Sequence, residues 1–390
     1  MKSFSSIIRF VFYKIHVNTR HFSIPYLKQH KYLENFNEPK SAIERSFFQY
    51  RCESFTNIFL SNLMKNFFSF LVIIPFISLL LLKKKTNIHN NTKYNAVMFD
   101  GLCNLSYNNL FNSFDEIHRV QFGKNYYLRI KDFLILLKVI AFRPFSPFWI
   151  IKNAYKIALY RFVIDRYDPN VIICASEYSF TSSLLTYYCE QNKIKHINIM
   201  HGEKFYFIRD AFFYFHQCYI WDTHYINLFK KLKAYCNEYI VYVPDNLKIE
   251  IKNDNSDITS ETYKFTYYLG LENYDELISV RESLLKTGVN SYQIAIRFHP
   301  RYGDFYNVKM IYKIFCDFFV ENPYKISLSD SISRADFVVS LYSTVLYQSY
   351  LSGKKIILDD VSFYDKYEML KELDYIIFNK KHRKLSEFIH

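Results

Sequence analysis

Between residues 94 and 360 the chain alternates short apolar runs with longer stretches whose apolar positions recur at helical spacing. The runs AVMFD (96–100), VIICA (171–175), HINIM (196–200), QCYIW (217–221) and YIVYV (239–243) are short and rich in apolar residues, and most are apolar on successive residues and not alternate ones. That pattern predicts strands covered on both faces. Residues 127–141, 150–166, 182–191 and 225–236 lie between the runs and predict helices, and Asp168-Pro169-Asn170 predicts a turn. A β-α-β-α order with buried strands implies a parallel sheet.

The stretch 246–264 (NLKIEIKNDNSDITSETYK) is polar and turn-rich, and the alternation resumes after it. Strands are predicted over 265–269 (FTYYL), 292–298 (YQIAIRF), 324–327, 337–340 and 355–358. Helices are predicted over 275–285, 308–320 and 344–351, with a turn or short helix at 331–335. The expected fold class is therefore α/β: two Rossmann-like domains in series facing a cleft, with ligands at the carboxyl ends of strands. The predicted divisions are an N-terminal region 1–92, a first domain 93–245, a hinge 246–264 and a second domain 265–390. No GxGxxG follows a strand and no GxxxxGK[ST] occurs, so the dinucleotide fingerprint and the P-loop are both absent.

The first ninety residues read differently. Residues 67–82 (FFSFLVIIPFISLLLL) carry no charge and run into Lys83, Lys84 and Lys85. A helix of that length is about 24 Å long, short of the ~30 Å hydrocarbon core, and Pro75 would kink it. Three readings fit: a helix lying in or dipping into a membrane, a buried core helix, or a span extended back through residues 58–64. Charge favours the first. Residues 1–90 hold thirteen basic side chains against four acidic ones, which is +9 of the chain's net +13. Such a basic, partly apolar extension suits an anionic membrane surface, with the lysines at its headgroups.

Composition narrows the classes further. Half the residues are apolar and 20% are Phe, Tyr or Trp, which excludes a disordered chain. Seven cysteines at scattered positions, with no CxxC and no metal-ligand spacing, read as reduced thiols in a cytosolic setting. No metal or other cofactor is expected. The basic region shows no zinc, helix-turn-helix or RNP pattern, so nucleic acid is not an expected partner. A non-catalytic nucleic-acid or assembly-complex binding protein is the rival from another class.

Candidate chemistry stands at three predicted strand ends. His201-Gly202-Glu203-Lys204 follows HINIM and places common acid–base groups beside a flexible Gly. Arg297-Phe298-His299-Pro300-Arg301 ends the second strand of the later domain and suits an anion such as phosphate. Ser340-Leu341-Tyr342-Ser343-Thr344 passes from strand to helix, where hydroxyls and free helix N–H groups can face a phosphate. Each has a plainer reading: Ser343 and Thr344 as a helix cap, His201 as a satisfied core residue, and His299-Pro300 as an ordinary turn.

The order HG, RxHP, then an S/T pair before a helix (SLYSTVLYQSYLSGKKIIL) resembles the GT-B glycosyltransferases of bacterial surface-polysaccharide assembly. Two branches are similar, over about 171–360. One is the bacterial sialyltransferases and polysialyltransferases, with an acidic tripeptide ending in Gly, an HP motif and an S/T motif. The other is the CDP-glycerol glycerophosphotransferases, with an HG, an RxHP and a serine pair. The first resemblance implies that His299 and Pro300 bind the CMP part of a CMP-sugar, and that Ser343 and Thr344 hold its phosphate. Arg297, and Gly270 in FTYYLGLEN (265–273), join that donor set. In the second branch His201 and His299 would be the important histidines. This chain has His201-Gly202-Glu203 where the first branch has its acidic tripeptide, so either His201 or Glu203 is the expected general base.

The implied reaction is inverting transfer of a sialic-acid-like sugar from the nucleotide-sugar donor to a lipid-linked oligosaccharide of O-antigen or capsule, without a metal. Transfer of a polyol phosphate from a CDP-linked donor is the alternative. Residues 93–245 would bind the acceptor and 265–390 the donor, and the expected location is the cytoplasmic face of a bacterial inner membrane, peripheral or monotopic. Seven aromatics over 205–215 either stack on sugar rings or belong to the core.

Overall fold

The computed structural model describes residues 24–82, 93–99, 106–120, 126–249, 262–300 and 306–389. Lys83, Lys84, Lys85, Asp100, Arg301 and most of the expected hinge lie outside the described residues. Two parallel sheets of six strands organise the chain. They belong to separate units. One comprises Met1–His201 and Tyr206–Val243, the other Gly202–Phe205 and Pro244–His390.

The first unit begins with three helices, α1 (Tyr26–Glu34), α2 (Ala42–Thr56) and α3 (Phe59–Leu82). Then come β1 (Ala96–Phe99), α4 (Asn108–Phe111), β2 (Ile117–Val120), α5 (Ile130–Phe142), α6 (Pro147–Tyr167) and β3 (Val171–Cys174). The unit closes with α7 (Ser182–Gln191), β4 (Lys195–Ile199), β5 (Tyr214–Ile220), α8 (His224–Lys231) and β6 (Tyr235–Val241). The strand order is β2-β1-β3-β4-β5-β6, and all neighbours are parallel. β1 and β3 are buried at every position, as their continuous apolar runs require. The edge strand β2 (IHRV) has no such run and escapes sequence reading.

Helix α6 is the central support of this unit. Pro147 stands at its first turn, where a missing N–H costs nothing, and fourteen of its 21 residues are buried. Buried on most of its surface, it packs against both α3 and α5. Its buried Arg161 reaches Asp132 of α5: Nη2 donates to Oδ1 at 2.8 Å and Nε to Oδ2 at 3.0 Å. Tyr188 of α7 donates its hydroxyl to the same carboxylate at 2.9 Å, and the Arg129 backbone N–H does so at 2.8 Å. Three helices are thus tied at one buried ion pair. Among the described residues, helix α3 runs from Phe59, so the helix extends eight residues further back than the uncharged stretch.

The second unit contains β7 (Tyr263–Tyr268), α9 (Tyr274–Leu285), β8 (Ile294–Arg297), α10 (Tyr306–Ile314), β9 (Phe319–Glu321) and α11 (Leu328–Arg334). It continues with β10 (Ala335–Ser340), α12 (Thr344–Leu351), β11 (Lys355–Leu358), α13 (Tyr364–Glu372) and β12 (Arg383–Lys384). Its order, β9-β8-β7-β10-β11-β12, is the Rossmann sequence 3-2-1-4-5-6, all parallel. Both units are therefore Rossmann-like α/β, the fold class that the sequence predicts. The sequence pattern misplaces one strand. β9 lies at 319–321, not 324–327, because Glu321 is wanted inside the sheet as the partner of Arg297.

Candidate active site

A doubly wound sheet binds ligands where its strand order reverses, beyond the carboxyl ends of the strands. In the first unit that point lies between β1 and β3. Three residues past the end of β3, Glu177 is fixed by Gln49 of α2, whose Nε2 donates to the Glu177 carbonyl at 2.8 Å. The Ser176 N–H donates to Asn198 Oδ1 of β4 at 2.8 Å, which locks the turn between them. On the neighbouring strand, Met200 follows β4, and its carbonyl accepts from the Tyr107 hydroxyl and from Trp221 Nε1. The next residue, His201, therefore leaves a pinned backbone.

His201 Nδ1 stands 3.0 Å from Glu177 Oε1, and the Glu177 side chain is buried. The separation is that of an ion pair once the imidazole is protonated. Such pairs often tighten into full hydrogen bonds in the substrate complex. A buried carboxylate facing Nδ1 calls for the proton on that nitrogen, which leaves Nε2 with a lone pair to accept a proton. The Tyr178 ring meets the imidazole edge-on at 5.3 Å, with the Arg209 guanidinium 5.3 Å from the Tyr178 ring, and these contacts hold the ring plane. Glu177 is a functional candidate that the sequence reading missed. Its only signal is an acid shortly after a buried strand in ASEYS, and polar loop residues are common there.

The second unit reverses its strand order between β7 and β10. At the end of β7, the Gly270 N–H donates to Glu272 Oε1 at 2.8 Å, and a Cβ added to Gly270 would stand only 3.1 Å from that oxygen. At the end of β10, Ser340 Oγ ties back to the Tyr268 carbonyl at 2.8 Å. Ser343 then caps α12, its Oγ accepting from the Val345 N–H at 3.2 Å, and Thr344 is the first helical residue. His299 and Pro300 follow β8, the neighbour of β7, and are exposed. Gly270, His299, Pro300, Ser343 and Thr344 thus share the carboxyl edge of one sheet.

Two expectations change. Arg297 does not present its guanidinium to a ligand: it is buried, donating to Glu321 Oε2 at 3.2 Å and to the Ile326 carbonyl at 2.9 Å. Buried and tied by Nη1 and Nη2 to β9 and the following turn, Arg297 holds the sheet and leaves the donor set. Glu203 is the second correction. Both its carboxylate oxygens are shut away from solvent with no hydrogen-bond partner among the described residues, and burial pushes its pKa from 4.5 up to about 8. It lies near Tyr342, whose ring meets Phe205 at 5.5 Å. Shut in this way, its oxygens have no open path to an acceptor proton, and His201 is left as the base. Most of the 205–215 aromatics are buried and serve the core.

A stability prediction follows for Glu203. The native carboxyl keeps a proton that the unfolded chain releases near pH 4.5, so this group's contribution to stability falls as pH rises from 4.5 to about 8. Glu203→Gln should flatten that slope and stabilise the protein by roughly 2–4 kcal/mol at pH 8.5, with little change at pH 5. Urea unfolding at the two pH values reads it, and identical slopes in variant and parent would refute the neutral carboxyl.

Among the described residues no cluster of three or more His, Cys, Asp or Glu side chains could hold a metal ion. No protein-family model and no curated protein matches this chain. Solved structures do resemble it. The glycotransferase of kitacinnamycin is 9% identical, covering 76% of this chain and 86% of its own, with a TM-score of 0.42. S. aureus MnaA with UDP is 9% identical over 67% of this chain and 78% of its own, at 0.41. A variant of the wall teichoic acid polymerase TagF is 11% identical over 85% of this chain and 93% of its own, at 0.40. Similarity at this level carries no argument about activity. The functional reading rests on the two sites.

Proposed function

We propose that this chain is a glycosyltransferase-type enzyme of surface-polysaccharide assembly, of GT-B type, which uses a nucleotide-linked donor and inverts the transferred centre. The observation that carries the proposal is the His201–Glu177 pair at the carboxyl edge of the first sheet. In this reading His201 Nε2 takes the proton of an acceptor hydroxyl. The oxygen attacks the anomeric carbon, the bond from that carbon to the donor phosphate oxygen breaks, and the nucleotide leaves with the electron pair. Glu177 steadies the imidazolium that forms. The second unit contributes the nucleotide site: the Ser343 cap and the N-terminus of α12 for phosphate, with His299 at the carboxyl end of β8 on the same sheet edge.

Two donors fit the motif order, a CMP-sugar of the sialic-acid kind and a CDP-linked polyol phosphate. With the latter, the acceptor oxygen deprotonated by His201 would attack the polyol-bearing phosphorus, the bridging P–O bond would break, and CMP would leave with the electron pair. The burial of Glu203 favours the second reading, because it removes the acidic base and leaves His201 and His299 as the reactive pair. The acceptor we propose is a hydroxyl of a growing lipid-linked oligosaccharide or polyol polymer.

Calorimetric titration with CMP, CDP, UDP and GDP tests the proposal. We expect selective binding of a cytidine nucleotide, weakened about 10-fold or more by His299→Ala, with melting unchanged because the side chain is exposed. CMP preference selects the sugar donor and CDP preference the polyol phosphate. Binding of none of the four nucleotides would end the reading.

A further inference from the structure

Helix α3 is polar on the inside and apolar on the outside. Its buried face carries Ser61, Lys65 and Ser69, at intervals of four residues, before Phe76 and Leu80 take over. The neighbouring polar residues also turn inward: Asn62 Nδ2 donates to the Ser54 carbonyl, and Asn66 pairs with the Tyr50 hydroxyl at 3.1 Å. Even its one charge faces the protein, with Lys65 Nζ 5.6 Å from the Phe148 ring of α6. The opposite face presents Phe59 (80% exposed), Leu63, Phe67, Phe70 and Ile74 (77%), spaced as one helical stripe. A surface helix in water has the reverse arrangement. Small and polar residues against protein, with large apolar ones outward, is the arrangement of a helix whose outer medium is lipid.

Helix α5 extends this surface. The Leu128 N–H, just before α5, donates to the Leu80 carbonyl near the end of α3 at 3.0 Å, so the two helix ends are joined. From there Ile130 (84% exposed), Leu134 and Leu137 form a second outward stripe, and Phe145 follows it, almost fully exposed. Lys131 and Lys138 flank the stripe and are exposed, whereas the helix's one acid, Asp132, is buried on Arg161. Helix α3 contains no acid at all. The exposed charge of the pair is therefore wholly positive, beside a broad apolar face.

We propose that α3 and α5 together form a membrane-docking face that sits in one leaflet of an anionic phospholipid bilayer. The apolar stripes enter the acyl boundary, and Lys131 and Lys138 meet the headgroup phosphates. The helix is long enough to span, about 36 Å for its 24 residues. It nonetheless lies in the plane, because its inner face packs along α6, the core helix of a Rossmann-like unit. A second copy of the chain is the less suitable occupant, since self-pairing would oppose lysine to lysine. The inference stands apart from the transferase reading, and vesicle binding and nucleotide binding are measured separately.

The test is flotation of the full chain with vesicles of phosphatidylcholine alone, or with about a third phosphatidylglycerol. We expect binding to the anionic vesicles, weakened about 10- to 30-fold by the double variant Lys131→Gln/Lys138→Gln. The triple variant Phe67→Ser/Phe70→Ser/Ile74→Ser should abolish it with the fold intact, because those side chains touch solvent and not the core. Depth is read with Phe70→Trp: the added fluorescence should be quenched by lipids brominated on their acyl chains, while Trp149 and Trp221, both buried, are unaffected. Absence of vesicle binding, or a stable dimer in which the fluorescence added by Phe70→Trp is shielded without lipid, would overturn the proposal. Binding indifferent to phosphatidylglycerol and to the lysine variant would overturn its anionic part.

Discussion

His201→Ala should lower turnover by about 10²- to 10⁴-fold, the range for loss of a general base. Turnover is read as nucleotide release from the donor that calorimetry selects. Nucleotide affinity should stay within a factor of two or so, because His201 belongs to the first unit and the proposed phosphate site to the second. Glu177→Gln separates positioning from chemistry. The amide keeps the shape but no longer stabilises an imidazolium at Nδ1. It should lower kcat by roughly 10-fold or more with KM little changed. His201→Ala at full turnover would remove the base from the mechanism. If Glu177→Gln only lowered the melting temperature, the carboxylate would be a structural group and not a positioning one.

The largest stability effect belongs to Arg161. Replacing it by Met leaves the Asp132 carboxylate buried with a Tyr hydroxyl and one backbone N–H, and without a compensating cation. Breaking such a pair costs about 3–5 kcal/mol. The side-chain ties from α6 to α5 and to Asn192, whose Oδ1 accepts from Arg161 Nη2 at 2.9 Å, are lost with it. Adding Asp132→Leu should restore much of the stability, because the second variant removes the stranded charge instead of a stabilising contact. Urea unfolding of the single and double variants measures both values. A loss below about 1 kcal/mol in the single variant would show that water reaches the carboxylate.

The strands that carry long apolar runs were legible from sequence, and these include β1, β3, β4, β7 and β10. Burial on both faces leaves a mark that needs no partner to be read. Two edge strands leave none: β2 (IHRV) and the two-residue β12 have no continuous apolar run and are strands only because a neighbour supplies hydrogen bonds. The motif positions were legible too, but the directions of their side chains were not. Nothing near Arg297 tells that its guanidinium turns to Glu321, 24 residues away on the next strand. Likewise Glu203 reads as a catalytic acid until its carboxylate is found shut from water, and Glu177 reads as a loop residue until His201 is placed beside it. Parallel pairing of β3 with β4 creates that proximity, and it is a property of the sheet and not of any local segment.

The short strip Gly202–Phe205 has a consequence for biosynthesis. It is translated with the first unit yet packs in the second, where Phe205 meets Tyr342. At about 5–20 residues per second, the ribosome takes on the order of ten seconds to reach Tyr342 after the strip is made. Until then the strip has no place to dock, and Glu203 stands in water as a carboxylate. Its burial raises the pKa to about 8, so at neutral pH the nascent chain takes up a proton as the second unit closes over it. A fragment that begins at Pro244 lacks the strip altogether and leaves Tyr342 without Phe205, so the second unit is not inherited whole by a downstream open reading frame.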